Sequence, residues 1–149
     1  AIKILTPLHV QDHENLFYAI SLSEAESKLG EHDKAITRLQ NLYKNHPENY
    51  AIMLALSHEY AQANQLNKCS YALLQAHRSY PKDLNICHKL ARAQSDINQK
   101  AAAYFTLGEC FMLEGNNKEA KRLFKHAKTQ VKKDKYLSAR IEAKLDELN

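Results

Sequence analysis

Apolar residues recur every three or four positions along nearly the whole chain, and the runs break at short segments carrying glycine, proline or asparagine. That spacing belongs to a helix with one buried face, and the breakers mark where each helix stops. The pattern predicts nine helices, near residues 1–10, 14–29, 32–45, 48–63, 66–79, 83–97, 99–114, 117–131 and 134–148. In the last, Leu137, Ile141, Leu145 and Leu148 form one stripe while Arg140, Glu142, Lys144 and Asp146 face away, as expected of a helix that caps a stack. Three glycines and three prolines in 149 residues are too few for a sandwich or barrel, which needs many turns.

The pattern also repeats, with a period of roughly 34 residues. One period on, Ala1-Ile2 falls on Ala35-Ile36, Leu5 on Leu39, Leu8 on Leu42, and Glu14-Asn15 on Glu48-Asn49. Further shifts carry Gly30 to Asn64, Leu39 to Leu73, Pro47 to Pro81 and Leu73 to Leu107. One unit reads Leu22, Gly30, Ala35, Leu39, Leu42, Pro47, and the next Leu56, Tyr60, Asn64, Cys69, Leu73, Ala76, Pro81. The last reads Leu107-Gly108, Phe111, Gly115, Ala120, Phe124, Ala127. Small residues let paired helices approach, large ones fill the groove beside them, and Gly30 and Gly115 supply a positive φ between helices. Pro47 and Pro81 stop a helix because they lack an amide hydrogen.

This period and these residues resemble the tetratricopeptide repeat, two antiparallel helices per unit. The resemblance implies an all-α solenoid of about nine helices with a C-terminal capping helix, a single domain over residues 1–149. Its units fall at about 1–13 (partial), 16–49, 50–83, 84–115 and 101–134, with the capping helix at 134–148. The helix from about Gln99 to Glu114 reads both as the second of one pair and the first of the next. Residues 1–8 match a second helix without its first, so the chain is expected to be the C-terminal part of a longer one. Glu26 and Gln94 depart from the family by standing where an aromatic is commonest, and there is no tryptophan.

Composition narrows function mainly by exclusion. No apolar run approaches the roughly 18 residues of a membrane span. The net charge of +4 does not by itself imply nucleic acid, and the basic stretch Lys118, Lys121, Arg122, Lys125, Lys128, Lys132, Lys133, Lys135 has no interleaved aromatic platform. It reads as a solvated helix face, with an anionic partner surface as the alternative. HExxH, Walker, GxGxxG, GxSxG and zinc-ribbon patterns are missing from the sequence, so no catalytic or metal residue is assigned and no cofactor is expected in this fragment. His9 and His13, four apart beside Asp12 and Glu14, lack a third ligand and read as surface histidines near a helix end. The odd count of Cys69, Cys87 and Cys110, without CxxC, fits buried reduced thiols better than a disulfide framework.

Stacked helix pairs expose the first helix of each pair on a concave face. The register places Phe17, Glu24, Lys28, Ala51, His58, Gln62, Asn85, His88 and Arg92 there, a mixed-charge surface suited to a protein or an extended peptide. The family's two-carboxylate clamp for chaperone C-termini is missing: its places hold Ile20, Glu24 and His58.

A narrower resemblance rests on the stretch from Tyr104 to Gly115, on Ala120, Leu123 and Ala127, and on the terminal helix from Tyr136 to Leu148 with its Ala-Arg-Ile-Glu-Ala run. These are similar to the end of the BepA/YfgC-type periplasmic zinc metallopeptidases, which join an HExxH protease domain to a C-terminal tetratricopeptide domain. The resemblance implies a non-catalytic arm in the periplasm that docks on its own protease domain, on outer-membrane assembly machinery or on substrates, with zinc held elsewhere in the parent chain. It also implies an oxidising compartment, in which a Cys69–Cys87 disulfide could form. The alternative is a stand-alone adaptor, cytoplasmic if the resemblance fails; an enzyme in its own right is the third reading.

Overall fold

Among the described residues, four with left-handed backbone punctuate the chain: Gly30 (φ 79°), Asn64 (φ 55°), Asn98 (φ 61°) and Gly115 (φ 78°). The first three are evenly spaced, one repeat period apart, so the repeat seen in the sequence is a repeat of backbone geometry. The computed structural model describes residues 1–12 and 15–149. His13 and Glu14 lie outside the described residues, and with them the His9–His13 pair and the expected helix start at 14. Among the described residues there are nine helices and no strand: α1 (Ile2–Gln11), α2 (Leu16–Lys28), α3 (His32–Asn45), α4 (Tyr50–Gln62), α5 (Leu66–Ser79), α6 (Leu84–Asp96), α7 (Lys100–Leu113), α8 (Asn117–Gln130) and α9 (Lys135–Glu147). Each lies within two residues of its predicted bounds.

Helix starts repeat as the turns do. The side chains of Asn15, Asn49 and Asp83, again one period apart, cap α2, α4 and α6. Asn15 accepts from the amide of Phe17 at 3.1 Å, Asn49 from Ile52 at 3.1 Å and Asp83 from Ile86 at 2.8 Å. Each cap satisfies an amide with no partner inside its helix and is worth about 1 kcal/mol.

The chain forms two compact units, Ala1–Ala76 and His77–Asn149. In the first, α1 packs on α2, α2 on α3 and on α4, and α3 on α4. Ala19, Leu22, Ala35, Leu39, Ile52 and Ala76 are its most deeply buried apolar side chains. In the second, α7 packs on both α6 and α8, and α8 carries α9. One cluster of its core is Phe105 and Phe124, with ring centroids 5.5 Å apart, together with Ala120, Ala127 and Ile141. Gly108 lies where a Cβ would come within 2.6 Å of the Phe124 ring, so only glycine allows α7 and α8 this approach.

Two positions that lack the expected aromatic are closed by polar bonds instead. Glu26 is buried and accepts from Arg38 at 2.7 and 3.2 Å, and Gln94 is buried and accepts from the Thr106 hydroxyl at 2.8 Å. Buried polar groups are tolerated when so paired.

Two expectations are corrected. Arg140 does not face away from the core: its guanidinium lies 4.4 Å from the Phe105 ring centroid and reaches Glu109 at 3.4 Å. A planar cation with an apolar stem can cover an aromatic face while meeting a carboxylate, so its polarity did not decide its side of α9. The cysteines are not three reduced thiols, nor is the pair Cys69–Cys87: a disulfide joins Cys87 to Cys110, with Cα atoms 5.8 Å apart and both residues fully buried. Cys87 lies eleven residues before Asn98 and Cys110 eleven after Gln99, so antiparallel α6 and α7 fold them onto each other about that turn. Cys69 is buried on α5 and takes no part in the bridge.

Candidate functional site

The residues singled out for the concave face all stand at the surface, each on the first helix of a pair. In the first unit Phe17, Glu24 and Lys28 are exposed on α2, with Phe17 at 70%, and Ala51, His58 and Gln62 are exposed on α4. In the second unit Asn85, His88 and Arg92 are exposed on α6. Their neighbours Ile52, Leu56, Ile86 and Leu90 point inward, so the same periodicity that builds the core presents this outer face.

His88 and Arg92 share a cleft of 510 Å³ with Ala91, Ser95 and Asp96 of α6, with Lys100, Ala103, Tyr104 and Leu107 of α7, and with Gln130 of α8. Asn85 is not part of its lining. One wall is apolar, through Ala103, Leu107 and the Tyr104 ring, which stacks on His126 at 5.6 Å. Charge lies beside it: Arg92 of α6 and Lys100 of α7 make no ion pair among the described residues, and Asp96 is the single acid of the lining. His88 is anchored, its Nε2 2.8 Å from a Glu114 carboxylate oxygen and its ring edge-on to Phe111 at 6.5 Å. An apolar strip beside unpaired cations can hold an extended segment by its side chains and an acidic group by charge. Tyr104, Leu107 and Lys100 were not among the residues chosen from sequence. The signal for them was the double reading of α7, which makes it line a cleft as well as complete a pair.

Opposite chemistry lies beneath α9. His77 is shifted below the ordinary histidine range, first by burial and then by the Arg140 charge, so its ring is neutral at pH 7. Its Nε2 is 4.0 Å from Glu109, a contact that is an ion pair only once the ring gains a proton. Glu109 is shifted upward by burial, against the pull of Arg140 and Lys144. The Arg140–Glu109 contact ties α9 to α7, and none of these groups lines the cleft. Among the described residues no three His, Cys, Asp or Glu side chains gather as metal ligands would. In the basic stretch Arg122 pairs with Glu119 and Lys128 with Glu142, while Lys118, Lys125, Lys132, Lys133 and Lys135 are exposed. Among the described residues no helix is long and apolar enough to cross a membrane.

The tetratricopeptide repeat family profile matches residues 21–49. Over 148 residues the chain is 26% identical to the β-barrel assembly-enhancing protease of Escherichia coli K12 and to that of Yersinia pestis. That alignment covers 99% of this chain and 30% of each relative, so the chain spans under a third of their length. Among solved structures, MamA of Desulfovibrio magneticus RS-1 superposes with a TM-score of 0.67 at 16% identity, over 99% of this chain and 82% of that one. A thermophilic tetratricopeptide-repeat protein of Thermus thermophilus gives 0.58 at 16% identity, over 97% and 88%. These likenesses fix the fold. The chain is a tetratricopeptide-type α-solenoid, a protein-interaction scaffold that resembles a part of the β-barrel assembly-enhancing proteases.

Proposed function

We propose that this scaffold is the docking arm of a periplasmic, zinc-dependent protease of outer-membrane protein assembly or quality control. The observation that carries this reading is the sequence match to the β-barrel assembly-enhancing proteases, 26% identical over 99% of the chain. The buried Cys87–Cys110 bridge supports it, because such bonds persist in oxidising compartments. Catalysis and zinc belong, in this reading, to a domain outside these 149 residues.

The arm holds its partner through the exposed first helices, with His58 in one unit and His88 and Arg92 in the other. The partner is a protein or peptide: its own protease domain, the assembly machinery or a substrate. Replacing His58, His88 and Arg92 together by alanine should weaken capture of purified β-barrel assembly machinery about tenfold or more without unfolding the domain; unchanged capture contradicts the assignment. The reading frame upstream of Ala1 tests the rest. A signal sequence followed by HExxH is expected, and only further repeats there would return the chain to an adaptor of another kind.

A further inference from the structure

One position of the repeat is closed in two units and open in the third. Glu26, Tyr60 and Gln94 are equivalent, one period apart, and twelve residues after each stand Arg38, Ala72 and Thr106. Arg38 reaches Glu26 and Thr106 reaches Gln94, so polar bonds fill those two places. Ala72 ends at its Cβ, and the Tyr60 hydroxyl instead accepts from Gln40 Nε2 at 2.8 Å.

A cavity of 390 Å³ remains between α3, α4 and α5, lined by Tyr43, Met53, Leu56, Tyr60, Tyr71 and Ala72 and completed by Gln40, Lys44 and Gln75. Met53, Leu56 and Tyr60 are buried and form its floor, whereas Tyr71 is 66% exposed and forms an open wall. The volume falls within the roughly 300–1,000 Å³ usual for ligand sites. Rings that join apolar area to a polar tip are what protein interfaces select. Lys44 is the single charged residue of the lining and has no ion pair among the described residues. A second cation, Lys68, lies 5.7 Å from the Tyr60 ring centroid, and no acid lines the cavity.

We propose that this cavity is a second protein-binding site, one that takes an apolar side chain of an extended segment bearing a carboxylate next to it. The ring-lined floor receives the apolar group and Lys44 meets the carboxylate. The site shares no residue with the surface assigned above, so either can fail alone.

The test is a ¹H–¹⁵N titration of the 149-residue chain with the peptide acetyl-Gly-Phe-Asp-Gly-amide. Amide shifts should concentrate at residues 40–44, 53–60 and 71–75. Ala72→Met, which fills the cavity, should weaken binding at least tenfold. Tyr71→Ala, at an exposed position that does not endanger folding, should weaken it severalfold. Lys44→Gln should cost about two- to fivefold for this peptide and nothing for its Asn counterpart, the scale of one exposed charge pair. Shifts elsewhere, none at millimolar peptide, or binding indifferent to Ala72→Met and Tyr71→Ala would overturn the proposal. So would concentration-dependent shifts at these amides without peptide, which would make the occupant a second copy of the chain.

Discussion

In the unit Ala1–Ala76 the left-handed turns at Gly30 and Asn64 stand a full repeat period apart, whereas in His77–Asn149 those at Asn98 and Gly115 stand half a period apart. The wider spacing gives each helix pair its own turn. The narrower one makes α7 a member of two pairs, packed on α6 and on α8. A helix used twice has little face left for water, and α7 is accordingly apolar nearly all round, with one lysine at its start and one glutamate within. Gly108 and Cys110 are two residues apart, hence about 200° around the helix. Gly108 meets Phe124 of α8 and Cys110 is bonded to Cys87 of α6. A repeat can therefore shift by half a unit if one helix is fastened on opposite sides.

The largest expected effect separates the units most sharply. Replacing Cys87 and Cys110 together by alanine removes a bridge across a sequence separation of 23 and should destabilise the second unit by about 3 kcal/mol, read by chemical denaturation. Cys69→Ala lies outside that loop and should leave the second unit's transition unchanged; equal effects on it would dissolve the distinction. Next is Gly108→Val, which drives a branched side chain into the Phe124 ring and should cost about 2 kcal/mol.

Both effects were only partly legible in the sequence. The nine helices emerge within two residues because periodicity and breakers act locally. Gly108 was recognisable as a repeat residue, though not the 2.6 Å approach that requires it. The disulfide was missed because the period was read along the chain, while Cys87 and Cys110 are related by reflection about the Asn98–Gln99 turn. Exposure of His58, His88 and Arg92 followed from register. The α7 wall of the cleft did not, since it depends on which two neighbours one helix keeps.

Smaller changes should show what the two units share. Gly30→Val and Gly115→Val should each cost about 1–2 kcal/mol, from positive φ alone, because a Cβ at either site meets nothing within 4 Å. A large inequality between them would mean that the turns differ in more than spacing. The smallest effect is a pH dependence from His77. His77 has a folded pKa below its unfolded value near 6.5, so the unfolded chain binds more protons in that window and stability falls as pH drops through it. His77→Gln should flatten this fall in thermal melts between pH 5 and 7, and an unaltered slope would place its origin elsewhere.

The double fastening of α7 is tested most directly by a thermodynamic cycle on its α8 side. Gly108→Ala is to be measured alone and in a Phe124→Leu background, with the disulfide intact. The cost of the alanine should fall by about 1 kcal/mol once the ring edge is gone, since Cε1 and Cζ of Phe124 are two of the three atoms it meets. An identical cost in both backgrounds would show that α7 does not approach α8 in this way, and the half-unit shift would fall with it.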